Sequence, residues 1–180
     1  MDGAQLRTVH TGALDGATLT AARKLLDDAF EGDFSDEDWD HTVGGLHVLV
    51  LEGDAELVGH AALVQRRLLY GEHALRTGYV EGVAVREDRR GLGYGAAMMR
   101  EVERVVRGAY ELGALSASED AVDFYAARGW RPWQGPTSVL TPAGARRTPE
   151  DDGGVFVLAV TGALDLSRSL TADPRPGDAW

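Results

Sequence analysis

Apolar and polar positions in this chain follow two periods, and the switches between them mark its elements. Leu6 to His10 reads as a first strand. From about Thr18 to Phe30 the residues Leu19, Ala22, Leu25, Leu26 and Ala29 recur at helical spacing, with Thr18 or Thr20 as the cap. Leu46 to Glu52 and Glu56 to Tyr70 predict an antiparallel hairpin that turns at Gly53-Asp54. A turn near Gly71 leads into a central strand ending at Val85, apolar and β-branched with Glu81 in its middle. Three glycines at alternate positions follow, Gly91, Gly93 and Gly95. From Met98 the pattern is helical: Met98, Val102, Val105 and Ala109 line one face, and Arg100, Glu103, Arg104 and Arg107 the other. A strand from Glu111 to Ser118 precedes a short helix, about Glu119 to Ala127, that carries Tyr125. Pro132 and Trp133 begin a strand ending near Leu140, Thr141 to Gly154 is a charged loop, and Val155 to Val160 is the final strand. Ser169 to Trp180 has no periodicity and two prolines, as a frayed terminus does. These elements make an α+β chain, and no repeat or linker divides residues 1–180, so a single domain is expected.

Composition narrows the partners. A chain of 180 residues can bury roughly 70% of the surface it exposes when unfolded. Acids outnumber bases by 29 to 18, a net charge of −11, which argues against nucleic acid and for a cationic partner. There is no cysteine, which removes disulfides, thiolate metal sites and a thiol nucleophile. The first twelve residues lack the apolar core of a signal peptide, and no apolar run approaches the roughly twenty residues that span a bilayer. The expectation is a soluble, cytoplasmic protein with no membrane association.

Candidate chemistry centres on the strand, glycine loop and helix between Tyr79 and Gly113. Such a unit offers free backbone N–H groups and a positive dipole end to an anion, and glycine lets the backbone approach it closely. Arg89 and Arg90 lead into the loop. No Gly-Lys-Ser/Thr follows, which excludes a P-loop. Gly91-x-Gly93-x-x-Ala96, with Glu111 about twenty residues on, loosely fits a dinucleotide fingerprint, but the repeated strand-helix units of a doubly wound sheet are missing. Glu31 to Asp40 holds six acids interleaved with Phe34 and Trp39. It reads either as a solvated turn with Ser35 capping a helix or as a pocket for a polycation with carbon-rich faces. The five histidines show no metal-ligand spacing and read as surface or strand residues. Ser116 reads as a hydrogen-bonding group at a strand end. The chain closes on Asp178, Trp180 and the terminal carboxylate, which can anchor a tail into a cleft.

Arg90-x-x-Gly93-x-Gly95 resembles the acyl-CoA pyrophosphate loop of the GCN5-related N-acetyltransferases, and Asp123-Phe124-Tyr125-Ala126-Ala127-Arg128-Gly129-Trp130 resembles a second signature of that superfamily. Over nearly the whole chain the segments Gly32-Asp33-Phe34, Asp38-Trp39, Tyr79 to Arg86, Gly135 to Val139, Thr148-Pro149 and Gly177-Asp178-x-Trp180 resemble the aminoglycoside 2'-N-acetyltransferases. The resemblance implies a mostly antiparallel twisted central sheet flanked by helices and splayed at an acetyl-CoA site. It implies acetyl-CoA as cosubstrate, an aminoglycoside as acceptor, no metal, and a homodimer. Asp33 and Asp38 would hold ammonium groups of the drug. Glu81 would accept the proton of the attacking amine, through water, with Gly82 also against substrate. Val83, Ala84 and Val85 would bond the pantetheine through their backbone, and Arg90, Gly91, Leu92, Gly93, Tyr94 and Gly95 would wrap the pyrophosphate. Ser116, Asp151, Asp178 and the carboxylate of Trp180 would contact substrate, with Asp152 sharing the task. Tyr125 would protonate the departing thiolate. Residues 169–180 would form a tail closing on the substrate.

Elementary chemistry agrees with those roles. An ammonium cannot attack a thioester, and a glutamate with an ordinary pKa of about 4.3 is a poor base unless shifted or water-linked. Gly82 beside it marks a bulge that frees backbone groups and aims Glu81. The lack of cysteine favours direct transfer. Acetylation of another amine, such as a polyamine or an envelope precursor, and a non-catalytic CoA-binding or nucleotide-binding module remain the alternatives.

Overall fold

The computed structural model describes residues 3–180. In chain order the elements are β1 (Ala4–His10), α1 (Gly16–Ala29), α2 (Asp36–Thr42), β2 (Leu46–Glu52), β3 (Glu56–Tyr70), β4 (His73–Val85) and α3 (Tyr94–Ala109). There follow β5 (Leu112–Ser116), α4 (Val122–Ala126), β6 (Arg131–Pro132), β7 (Thr137–Thr141), β8 (Gly144–Arg147), β9 (Val155–Ala159) and β10 (Leu170–Ala172). The chain forms two compact units. One comprises the stretches up to Val64 and Val80–Val105, the other Gln65–Tyr79 and Val106–Trp180.

In the first unit β1 pairs antiparallel with β2, and β2 with the first half of β3. The buried residues Ala22, Leu25 and Leu26 of α1 and Met98, Met99 and Val102 of α3 supply helix faces to its core. Thr18 and Thr20 do not cap α1. Asp15 does, its carboxylate accepting from the Thr18 amide at 2.7 Å, because a cap must precede the first helical residue with extended backbone. Ser35 caps α2 in a capping box with Asp38. On α3 the buried stripe is turned from its expected face. Val106 is buried, Ala109 is exposed, and Glu103 is buried as well. Positions 99, 102, 103 and 106 form a contiguous stripe at 3.6 residues per turn, wide enough to cover a carboxylate at its margin.

In the second unit β5 pairs parallel with β4 over Thr77–Tyr79 and Leu112–Ala114, and antiparallel with β9 through to Ser116. The strand expected from Pro132 to Leu140 is two strands, β6 and β7. Gly135 separates them, its backbone pressed so close to Ser167 and Arg168 that a Cβ would overlap their carbonyl oxygens. The expected loop from Thr141 contains β8, which forms a hairpin with β7. β9 is not the last strand. β10 lies inside the sheet, antiparallel to β3 at Leu68–Tyr70 and parallel to β7 at Thr137–Val139. The terminus is therefore ordered, and Trp180 is buried. All other recorded pairings are antiparallel, so the sheet is mixed and mostly antiparallel.

Candidate active site

The expected site residues divide between the units, with Asp33, Asp38 and the run Glu81–Gly95 in the first. Gly82 sits within β4 at φ +54°, and a Cβ there would stand 3.0 Å from the Thr42 methyl and 3.2 Å from Leu26. Only glycine meets both the left-handed backbone and the space. This kink is the conformation a glycine bulge uses, and it falls within the continuous strand directly after the half-buried Glu81. Past it, Ala84 is buried against Leu26 and Phe34, and the Arg86 amide donates to Val58 at 2.9 Å.

The two arginines before the glycines have different fates. Arg89 is paired with Glu52 at 2.8 Å and Asp88 at 2.7 Å. Glu52 also accepts from the hydroxyl of buried Tyr94. Arg89 first, then that hydroxyl, holds the Glu52 carboxyl below its ordinary range. Tyr94 thus offers a ligand its backbone amide and not its phenol. Arg90 is exposed, touches the Val85 carbonyl at 3.3 Å, and lines a cleft of about 390 Å³ with Arg86, Asp28 and Glu31. Gly91 and Gly93 take φ +77° and +84°, with no atom within 4 Å of where a Cβ would project. Ala97 makes the first helical bond, to Gly93 at 3.0 Å, so the amides of Tyr94, Gly95 and Ala96 have no carbonyl within the helix. A loop with open space at two left-handed glycines, free amides and one exposed arginine fits a diphosphate. A larger cleft, about 620 Å³, runs along α1 and the β2–β3 turn and contains none of the expected site residues.

The acidic segment is pinned by its aromatics. Phe34 is buried with Leu26 and Ala84, and half-buried Trp39 packs on the same cluster. Phe34 therefore belongs to the core rather than to a pocket wall. Asp33 is exposed just past Glu31 and Gly32, both at positive φ. Asp38 uses one carboxylate oxygen, Oδ2, in the capping box, accepting from the Ser35 amide at 2.9 Å and hydroxyl at 2.8 Å. Asp36 is paired with Arg23 at 2.9 Å.

The second unit holds Ser116, Tyr125, Asp151, Asp152, Asp178 and Trp180. Ser116 is exposed at the end of β5, and the next amide, of Ala117, donates to Gly154 at 3.0 Å. The turn Pro149–Asp151 precedes that glycine. Burial pushes the Asp151 carboxyl up, and the nearby charges of Glu150 and Asp178 add to the rise. The Trp180 indole donates to Thr148 Oγ1 at 3.0 Å, three residues before Asp151. Asp151, Asp178 and Trp180 are thus brought together. Asp152 turns elsewhere: Oδ1 accepts from the Thr137 amide at 2.9 Å and hydroxyl at 2.8 Å, and Oδ2 from Arg147 at 2.7 Å. Arg147 above all holds its carboxyl far below the usual range. Tyr125 is buried edge-on against Phe124 and Trp130, and burial pushes its phenol up to about 12.

Three features lay outside the sequence reading. Buried Arg66 donates to Asp173 Oδ1 at 2.8 Å and to the Ala179 carbonyl at 2.9 Å, and lies over the Tyr79 ring. Glu52 secures the glycine loop. His47 and His60 lie on strands, as one half of the surface-or-strand reading has it, but they are fully buried and bonded to each other at 2.9 Å. None carries a local signal, since each partner is distant in sequence. Among the described residues no group of three or more His, Asp or Glu is placed to hold a metal.

Residues 19–130 match the model of the acetyltransferase (GNAT) family. An aminoglycoside 2'-N-acetyltransferase of Mycolicibacterium fortuitum is 58% identical over 97% of this chain and 91% of its own length. Among solved structures, a GNAT family N-acetyltransferase (YhbS) from Escherichia coli, in complex with CoA, is similar with a TM-score of 0.65 at 15% identity, covering 94% of this chain and 89% of that one. Escherichia coli ElaA is similar with a TM-score of 0.60 at 19% identity, covering 86% and 98%.

Proposed function

The chain belongs to the acetyltransferase (GNAT) family and has that family's fold, and from that premise we propose that it moves the acetyl group of acetyl-CoA to the 2'-amine of aminoglycoside antibiotics. The near-full-length likeness to an aminoglycoside 2'-N-acetyltransferase carries this reading. The distribution of anionic groups supports it. The glycine loop accepts an anion, whereas Asp33, Asp38, Asp151, Asp178 and the carboxylate of Trp180 suit a polycation.

Acetyl-CoA supplies the acetyl group as a thioester, already activated toward an amine. The chain contributes placement and proton handling. The amides of Tyr94, Gly95 and Ala96, with Arg90, hold the pyrophosphate, and the backbone of Val83–Val85 holds the pantetheine arm beyond the Gly82 kink. Glu81 takes the amine's proton through a water, since only the neutral amine has a free lone pair. Tyr125 gives a proton to the sulfur as it leaves, and a phenol pushed up to about 12 is fully protonated at neutral pH. Ser116, Asp151, Asp178 and the terminal carboxylate hold the drug's ammonium and hydroxyl groups. Asp152 acts by fixing the turn that carries Asp151. Residues 169–180 close on the drug, the whole chain works as one acetyltransferase domain, and the active species is a cytoplasmic homodimer, which sedimentation of the purified protein tests. The absence of cysteine rules out a thiol acyl-enzyme and favours direct transfer.

Free-thiol release from acetyl-CoA with paired aminoglycosides, one bearing a 2'-amine and the other a 2'-hydroxyl, tests the reading. Turnover of the 2'-amino member alone is expected. Equal turnover of both moves the acylated position, and turnover of polyamines with silence toward every drug overturns the assignment.

A further inference from the structure

The first unit contains a chain of side-chain hydrogen bonds that ends beside Glu81. The Gly44 amide donates to Thr11 Oγ1 at 3.0 Å, and Thr11 Oγ1 lies 2.7 Å from His47 Nε2. His47 Nδ1 lies 2.9 Å from His60 Nε2, and His60 Nδ1 lies 2.7 Å from the carbonyl oxygen of Gly82. Both imidazoles are fully buried.

Hydrogen placement follows from the terminal group. A carbonyl oxygen only accepts, so His60 Nδ1 must carry the hydrogen. In the neutral ring Nε2 is then bare, and His47 must donate to it from Nδ1. His47 Nε2 is bare in turn and accepts from the Thr11 hydroxyl, whose longer contact, 3.2 Å to the Gly45 carbonyl, gives way. Every bond from Gly44 to Gly82 thus points one way, with both rings neutral and protonated at Nδ1. Burial keeps them neutral, with His60 pushed down to about 4 and His47 lowered in the same direction.

Such a chain cannot deliver a proton to Glu81, because a carbonyl oxygen has none to pass on. It can fix a peptide plane. The left-handed kink turns the Gly82 carbonyl out of strand geometry and onto His60. We propose that His60 is a positioning residue for the acetyl transfer: backed by His47 and Thr11, it locks the Gly82 peptide and thereby the aim of the Glu81 carboxylate. The proposal rests on the reading of Glu81 as the base.

Two measurements test it. Imidazole ¹⁵N spectra of the intact protein should show two histidines protonated at Nδ1 and bare at Nε2. Either His47 or His60 protonated at Nε2 overturns the chain's direction, and the proposal with it. In kinetics, His60→Leu removes the donor and His60→Asn keeps an N–H near the Nδ1 position. His60→Leu should lower kcat about tenfold or more, the scale on which small misplacements of a reacting group act, with KM for the drug nearly unchanged. His60→Asn should recover most of the loss. In a Glu81→Gln background His60→Leu should add nothing, because both changes remove the same aimed carboxylate. Wild-type kcat in His60→Leu, or losses that multiply in the double variant, overturns the proposal alone. Wild-type turnover by Glu81→Gln overturns the reading of Glu81 and the proposal together.

Discussion

Gly82 carries two demands that no other residue meets at once, a backbone at φ +54° and a site with the Thr42 methyl 3.0 Å from any Cβ. Gly82→Ala should therefore destabilise the fold by about 1–3 kcal/mol, the usual scale of backbone strain, and remove most activity; chemical unfolding and thiol release measure the two. His60 predicts an acid sensitivity. Its folded-state pKa of about 4 lies below its ordinary 6.5, so the unfolded chain binds the proton first. The stability linked to it is complete above pH 6.5 and is lost as pH falls toward 4. A shift of that size corresponds to about 3 kcal/mol. Glu52 and Asp152 are also held low, so the stability linked to them starts to be lost only near the ordinary carboxylate values, at the bottom of that window, while His47, lowered like His60, adds to the loss within it. Urea midpoints at pH 7.5 and 4.5 should differ in the wild type, and the difference should shrink in His60→Leu. The glycines and the cap at Ser35 were legible in the sequence because their signals are local. The histidine pair was not, since nothing near position 47 points to position 60.

At the scale of elements, the C-terminal tail shows how a segment without periodicity becomes ordered. β10 has three residues, too few to display alternation, yet β3 and β7 flank it on both edges. Beyond it, Arg66 grips Asp173 and the Ala179 carbonyl, and Trp180 is buried on Thr148. Thr148 donates in turn to Thr137, which Asp152 holds. The tail and the Asp151 turn are therefore parts of one hydrogen-bonded assembly. Arg66→Ala should free the end of the tail and disperse the Asp178 and Trp180 carboxylates. The expected result is a KM for the drug raised by about tenfold, the loss of roughly 1.4 kcal/mol of binding, with kcat within about twofold because Glu81 lies outside that assembly. Steady-state kinetics with the drug varied at saturating acetyl-CoA checks it. The glycine loop is secured likewise, since Glu52 at the end of β2 holds both Arg89 and Tyr94. Two arginines lead into the loop in the sequence, and the resemblance assigns only Arg90 to the anion; Arg89 is paired with Glu52 and Asp88, and Arg90 is exposed.

For the whole molecule the net charge of −11 is the property to test. A negative field draws a polycation and repels an anionic cosubstrate, and salt screens both effects over about 8 Å at physiological ionic strength. Raising salt from 0.05 to 0.5 M should lower kcat/KM for the aminoglycoside several-fold, and kcat/KM for acetyl-CoA should hold or rise. Equal losses for both substrates would point to a salt effect on the fold instead.

The sequence by itself determined what is encoded locally. The α1 and α3 helices, the β2–β3 hairpin, the central strand with its glycine, the glycine-rich loop before α3 and the acidic balance of the chain all follow from periodicity, special backbone conformations or charge count. Tertiary structure alone decided which of several equivalent side chains is committed. It gave Arg89 to Glu52, Asp152 to Thr137 and Arg147, His60 to the Gly82 carbonyl, and Arg66 to a partner 107 residues away. The physical reason is range. Backbone preference acts over a few residues and leaves a pattern there. A hydrogen bond between distant side chains depends on strand register and packing, and it leaves no mark beside either partner.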